Sequence, residues 1–375
     1  MDQCSGVDLK VLHFYKTFSE NQFGGGESFI RHLTHATTQL GCVNTVLSLS
    51  TCPDPPLQTA HYRHVQAKEN LSIASTSFSL SVFSTFAKLA AQADLVHYHF
   101  PWPFMDVVHF ITRTGKPSVV TYHSDIVRQK NLLRIYQPLM HRFLDSVDVI
   151  AATSPNYVAS SPVLQRHLHK TQAIAIGLEE ALYPKANPEA VCALQQRFGA
   201  RFFLFVGVLR YYKGLQYLLD ACVHSPWPLV IVGAGPVEHE LKQQALRLNL
   251  NNIHFIGQTD DQSKADLLAA CYAMVFPSHL RSEAFGISLL EGAMFAKPMV
   301  CSEIGTGTSY VNQHHVTGLV VPPADSNALK NALQQLWDNP ALAAQYGMAA
   351  RQRYLNLFTA QNMGRAYTEI YKNLL

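Results

Sequence analysis

The chain has 375 residues, of which 48% are hydrophobic and 15% charged; that is enough apolar surface for two domains of ordinary size and too little repulsion for a disordered chain. The net charge of +3 is too small to indicate a nucleic-acid partner, and the longest apolar runs fall short of a membrane-spanning helix. The positive excess is local: residues 1–177 hold 14 Lys+Arg against 11 Asp+Glu, whereas residues 178–375 hold 15 of each. The N-terminal MDQCSGVDLKVLHFY lacks the parts of a secretory leader. Seven cysteines, an odd number with no C-x-x-C pair, predict free thiols and a cytoplasmic location.

In chain order, Leu9–Tyr15 is a short β-rich run followed by the cluster Gly24-Gly25-Gly26. Phe29, Leu33, Ala36 and Leu40 then recur at helical spacing, which predicts a helix over 27–40 with Gly41 as its stop. Further strands are expected at 43–49, 94–99, 117–123 and 148–153. The stretch 177–199, with Pro184 and Pro188, reads as a connection containing a short helix over 188–198. The pattern then restarts, with strands at 201–206, 229–232, 253–256, 273–276, 298–301 and 318–321, and helix from 327 to the end. Strand–helix alternation of this kind predicts parallel sheets covered on both faces, in two α/β units. Such a pair is expected to leave a cleft, with ligands beyond the carboxyl ends of the strands.

Four stretches carry chemistry. Phe276-Pro-Ser-His-Leu-Arg-Ser-Glu283-Ala-Phe285-Gly286-Ile287-Ser-Leu-Leu-Glu291 runs from a strand through a polar loop into a helix. The N–H groups of that helix start form an anion site, and Glu291 can accept from sugar hydroxyls. The plain alternative is a helix cap with a solvated glutamate. Gly207-Val-Leu-Arg210-Tyr-Tyr-Lys213 places two cations after a buried strand, suited to a diphosphate or else simply solvated. Phe23-Gly24-Gly25-Gly26-Glu27 allows close main-chain approach of a ligand but is not G-x-G-x-x-G, which disfavours a dinucleotide dehydrogenase; Gly233-Ala-Gly235 is a similar strand–helix junction.

His123 is expected at a strand end facing the cleft. His97 and His99 share one strand face and are read as packed and hydrogen-bonded, since no short motif supplies a third metal ligand. Between Asp125 and Asp145, Arg128, Lys130, Arg134 and Arg142 alternate with Leu132, Leu133, Ile135, Leu139, Met140 and Phe143. This pattern fits a helix on an anionic membrane surface, or an ordinary packed helix interrupted at Pro138.

Taken together and in order, these residues resemble glycosyltransferase family 4, the retaining nucleotide-sugar transferases of the GT-B fold. The stretch His123-Ser-Asp-Ile-Val-Arg-Gln-Lys130 with Thr153-Ser-Pro-Asn-Tyr157 resembles the bacterial lipopolysaccharide and exopolysaccharide members. The resemblance implies an acceptor-binding domain over 1–177, a nucleotide-sugar domain over 178–355 with its linker at 178–200, and a last helix, 356–375, packing back on the first domain. It implies catalytic roles for His123, Arg210, Lys213 and Glu283. It implies donor contacts from Gly25, Gly26, Gly207, Gly235, Phe285, Gly286, Ile287 and Glu291, with Gly24, Tyr15 and His99 on the acceptor side. The implied reaction moves a hexose from GDP-mannose or a UDP-hexose to a lipid-linked saccharide. It needs no metal or other cofactor, and takes place at the inner face of the membrane. The readings from other classes are a sugar-nucleotide epimerase of the same architecture and a non-catalytic sugar-nucleotide-binding protein.

Overall fold

The computed structural model describes residues 8–19, 24–73, 76–126 and 130–375, the side chains of 130–132 excepted. The chain forms two compact units, one of residues 1–179 with 360–375 and the other of residues 180–359.

The first unit contains β1 (Leu9–Phe14), β2 (Cys42–Ser50), β3 (Leu57–Gln58), β4 (Arg63–Lys68), β5 (Leu71–Ile73), β6 (Thr76–Phe78), β7 (Leu95–Phe100), β8 (Ser118–Tyr122), β9 (Val149–Ala152) and β10 (Thr171–Ala173). Its main sheet runs β10-β9-β8-β7-β1-β2-β4-β3, parallel except for the β3–β4 edge, and β5 and β6 form a separate hairpin. All six residues of β7 and all five of β8 are buried, because helices cover both faces of the sheet. Phe14, Phe86, Tyr98 and Trp102 form an aromatic core on one face. The last helix, Ala360–Asn373, lies in this unit: Gly364 is so close to helix Gly25–Thr38 that an added Cβ would stand 2.7 Å from Ala36 Cβ.

The second unit contains β11 (Phe203–Val206), β12 (Leu229–Val232), β13 (Ile253–Gly257), β14 (Ala273–Phe276), β15 (Met299–Ser302) and β16 (Gly318–Val321). They form one parallel sheet in the order β13-β12-β11-β14-β15-β16, the Rossmann arrangement.

Pro138 does not interrupt its helix, which runs unbroken over Lys130–Ser146. Pro138 is exposed, so water can satisfy the carbonyl that loses its partner, while buried Met140, Phe143 and Leu144 hold the helix on the sheet. The sequence also concealed β3–β6 and β10: β3, β5, β6 and β10 have only two or three residues each, and β4 is mostly polar. Among the described residues no helix is long and apolar enough to cross a membrane, and the six of the seven cysteines that fall among them are free thiols.

Candidate active site

In the second unit, β11 and β14 lie side by side, yet the chain leaves them towards opposite edges of the sheet. At such a switch point the two following loops diverge and leave a crevice beyond the strand ends. The loop after β11 carries Gly207, Arg210 and Lys213; the loop after β14 carries Ser278 and Glu283. Gly214 lets the two loops touch: at φ +71°, with Pro277 O only 2.0 Å from where a Cβ would be, no other residue fits.

This approach builds a cation site. Lys213 Nζ lies 2.5 Å from Glu283 Oε2, with both side chains about nine-tenths buried. The same ammonium sits 4.4 Å from the centre of the Phe276 ring, and buried Ser278 Oγ donates to Glu283 Oε2 at 3.3 Å. Lys213 is thus held by Glu283 and Phe276, and Glu283 in turn by Ser278. Arg210, three residues earlier, is exposed. The neighbouring Tyr212 phenol is pushed up to about 12 by burial and by the charge of Glu283.

Behind this pair, helix Ile287–Met294 begins at Gly286, whose φ of +91° turns the chain sharply into the helix. Ser288 Oγ donates to Val206 O at 2.8 Å and ties the helix start to the end of β11. The Phe285 ring turns inward against Phe358, so Phe285 offers a ligand only its main chain. Gly235 comes close under the β11 loop, where a Cβ would stand 2.3 Å from Leu209 O. Glu291, one turn further along, is buried, and its Oε1 accepts from Tyr183 OH and from Lys264 Nζ, each at 3.0 Å. Ser278 lies inside the Phe276–Glu291 stretch, whereas Lys264 and Tyr183 carried no signal in the sequence. Lys264 and Tyr183 lie 27 and 108 residues from Glu291, in elements without a motif.

In the first unit, Gly24 caps helix Gly25–Thr38, and its N–H donates to Glu27 Oε2 at 3.0 Å. Gly25 and Gly26 open the helix. The Tyr15 ring lies directly on Gly26, with its nearest atoms 2.8 to 2.9 Å from the position of a Cβ. Burial, then the Glu27 charge, raises the Tyr15 phenol above its usual range.

Four histidines gather at the carboxyl ends of β1, β7 and β8. His13 Nδ1 is 3.2 Å from His99 Nε2, and His99 Nδ1 is 3.1 Å from His123 Nε2. His97 is bonded to Tyr371 OH and to Thr121 Oγ1, each at 2.7 Å. Only His123 is partly exposed; the other three have none of their surface exposed, so His99 can reach a ligand only through His123. Desolvation holds His13 down to about 4, with a smaller opposing effect from the Asn44 bond. Desolvation by the surrounding side chains, then the Lys16 charge, pushes His123 down to about 3. His97 and His99 are also pushed well below the usual range, first by burial and then by neighbouring histidines. The ligand-capable atoms of His13, His97 and His99 lie within 4.8 Å of one another. His13, the third member, comes from a strand 84 residues away, which is why short spacing did not find it. All six ring nitrogens of this set already face hydrogen-bond partners. As built, the cluster is a polar network.

Two Rossmann-like units with a cation site at a switch point define the GT-B class of glycosyltransferase architecture. Solved structures agree at the level of fold. The sucrose-phosphate synthase of Thermosynechococcus elongatus superposes with a TM-score of 0.80 at 22% identity, covering 98% of this chain and 99% of that one. HepE of Anabaena, solved in complex with UDP and glucose, gives 0.77 at 22% identity over 97% and 99% of the two chains.

Residues 194–353 match the family model "Glycosyl transferases group 1", and residues 23–170 match "Glycosyltransferase Family 4". The D-rhamnosyltransferase WbpZ of Pseudomonas aeruginosa is 55% identical over 94% of this chain and 93% of its own length. The O-antigen chain mannosyltransferase C of Escherichia coli is 46% identical over 98% and 99%. The chain therefore belongs to glycosyltransferase family 4, and it is a hexosyl-type glycosyltransferase.

Proposed function

We propose that this enzyme moves a mannosyl or D-rhamnosyl group from a nucleotide diphosphate sugar to a lipid-linked saccharide during synthesis of a bacterial surface polysaccharide. It does so with retention of configuration and without a metal ion. The activities of the two relatives support the sugar class. The observation that carries the mechanism is Lys213, held by Glu283 and Phe276 at the switch point.

Glycosyl transfer leaves negative charge on the departing diphosphate. A fixed cation, an exposed guanidinium and the N–H groups of a helix start can stabilise that charge together, in the role a divalent ion plays elsewhere. In this reading Arg210, Lys213 and the Gly286–Ile287 main chain take the diphosphate, with Gly207 and Gly235 leaving it room. Glu283 both positions Lys213 and lies near the transferred sugar. His123 takes a sugar hydroxyl, with Gly25 and Gly26 beside it, and Gly24 and Tyr15 lie on the acceptor side. Glu291 binds the ribose, preorganised by Tyr183 and Lys264. The first unit is then the acceptor domain and the second the donor domain.

The test uses purified protein with GDP-mannose, GDP-D-rhamnose, UDP-glucose and UDP-N-acetylglucosamine in turn. One donor should release its nucleotide only when a saccharide acceptor is present, and release should persist in EDTA. Release without acceptor, or product formed without loss of nucleotide, would point to a hydrolase or an epimerase. Loss of activity in EDTA that a divalent ion restores would sink the metal-free mechanism. Separately, Glu291→Gln should weaken donor affinity about tenfold with little change in kcat, since ribose contacts are alike in ground and transition states. An unchanged donor Kd would remove Glu291 from the ribose.

The acceptor's lipid would be met by the first unit at an anionic membrane surface. Arg134, Arg142 and Arg113 are exposed there, as are Ile135 and Ile111, which are 80% and 61% accessible. Arg113, Lys116 and Arg142 line one surface pocket together with Phe110 and Leu139. Phe143 is buried and takes no part, and Arg128 lies outside the described residues. Each cation near such a surface contributes roughly 1 kcal/mol. Changing Arg113, Lys116, Arg134 and Arg142 to Gln should release the enzyme from phosphatidylglycerol-containing vesicles in a sedimentation assay. Transfer to a soluble acceptor should stay near its original rate. Vesicle binding unaffected by this change or by high salt would exclude the surface role.

A further inference from the structure

What His123 can do for a ligand depends on which ring nitrogen carries the proton, and the contacts behind the ring decide that. Asn44 Nδ2 lies 3.2 Å from Thr34 O and 3.4 Å from His61 O. Main-chain carbonyls only accept, so the amide nitrogen must face them and Oδ1 must face His13. That oxygen also only accepts, so His13 Nε2, 3.1 Å away, carries a proton.

His13 is completely buried with no carboxylate bonded to it, so it is neutral and its Nδ1 is bare. His99 Nε2, 3.2 Å from that nitrogen, must donate to it. The same reasoning leaves His99 Nδ1 bare, so His123 Nε2 must donate across 3.1 Å. A neutral His123 is then left with an unprotonated Nδ1. The depressed histidine values agree with neutral rings throughout.

We propose that Asn44, His13 and His99 are positioning residues that hold His123 as its Nε2–H tautomer, so that Nδ1 is offered purely as an acceptor and selects a substrate hydroxyl over a carbonyl or phosphate oxygen. The tautomer rests on this network alone; its use on the transferred sugar rests on the function proposed above. The network also explains why fully buried residues would matter for a reaction they do not touch. Removing His99 removes the acceptor that keeps the His123 proton on Nε2, and the ring can then tautomerise. Glutamine at position 99 would preserve the order, since its oxygen can accept from His123 and its nitrogen can donate to His13.

The experiment is two-bond ¹H–¹⁵N correlation of the full chain labelled at histidine nitrogens, at pH 7.5, with His123 assigned by its loss in His123→Gln. The expected wild-type spectrum shows a pyrrole-type Nε2 and a pyridine-type Nδ1 for His123. A protonated Nδ1 overturns the proposal, and this measurement needs no other variant to fold. His99→Phe should give a mixture of His123 tautomers and about tenfold slower transfer, and His99→Gln should restore both towards wild type. A His123 tautomer unchanged in folded His99→Phe would overturn the positioning role. Saturating donor should shift the Nδ1 signal. If Nδ1 keeps its pyridine-type signal but ignores the donor, the tautomer assignment stands and the placement of His123 on the sugar is what fails.

Discussion

Lys213→Ala is expected to lower kcat by about 10²–10³-fold, equivalent to about 3 kcal/mol of transition-state stabilisation, in a protein that still folds. The size of the effect follows from how the ammonium is held. Its ion pair with Glu283, its position over the Phe276 ring and the support of Ser278 fix the charge before the substrate arrives. A preorganised charge costs no reorganisation when the diphosphate leaves, so its removal acts on the transition state more than on the bound donor. Donor affinity should therefore change less than kcat.

The same substitution leaves the Glu283 carboxylate mostly buried without its cation, which costs stability as well. The double variant Lys213→Ala/Glu283→Gln separates the two effects. It should recover thermal stability relative to Lys213→Ala but recover no activity. Steady-state kinetics at saturating donor, together with a melting curve for each variant, make the comparison. Near-normal kcat in folded Lys213→Ala would remove Lys213 from the leaving-group site.

The second large effect is loss of stability in acid. His13, His97, His99 and His123 are all held below the ordinary histidine value, so the folded chain binds fewer protons than the unfolded chain in mildly acidic solution. Their contribution is fully present above about pH 6.5, and stability falls as the pH drops towards the folded values. For His13, a shift from 6.5 to about 4 corresponds to ~3 kcal/mol lost once the pH is below 4. Between pH 6 and 4.5 the loss runs at roughly 1.1 kcal/mol per pH unit for that residue.

Denaturant unfolding at steps from pH 7.5 to 4.5 should show this slope, and His13→Gln should reduce it by close to one proton. Stability that is flat or rising on acidification would mean that the cluster takes up protons without unfolding. Transfer activity, by contrast, should not follow a histidine titration between pH 6 and 8, because none of the four rings changes charge there.

The α/β class and most strands of both sheets were legible in the sequence, and the reason is physical. A strand buried on both faces must be continuously apolar, so Phe203–Val206, Leu229–Val232 and Ala273–Met-Val-Phe276 announce themselves as short apolar runs between glycines and polar turns. Chain order is also local information. The glycine cluster, His123, the Arg210–Lys213 pair and the Glu283–Glu291 element could be read in sequence as one pattern. Edge strands such as β3 and β10 escaped because partly exposed backbone needs no apolar signature.

The tertiary structure alone decided who pairs with whom. Nothing in the sequence links Lys213 to Glu283, 70 residues on; that contact exists because β11 and β14 are adjacent in the sheet and their loops meet at Gly214. Glu291 likewise meets Lys264, from the helix Asp261–Ala270, and Tyr183 only in the folded unit. His13 and Asn44 carried no signal at all. They became part of a network with His99 and His123 only when parallel pairing aligned β1 with β2 and β7, and β7 with β8. Periodicity along a chain reports which faces are buried. Hydrogen-bond direction, ion pairing and tautomer depend on atoms brought together across strands, and those are settled by sheet order and register.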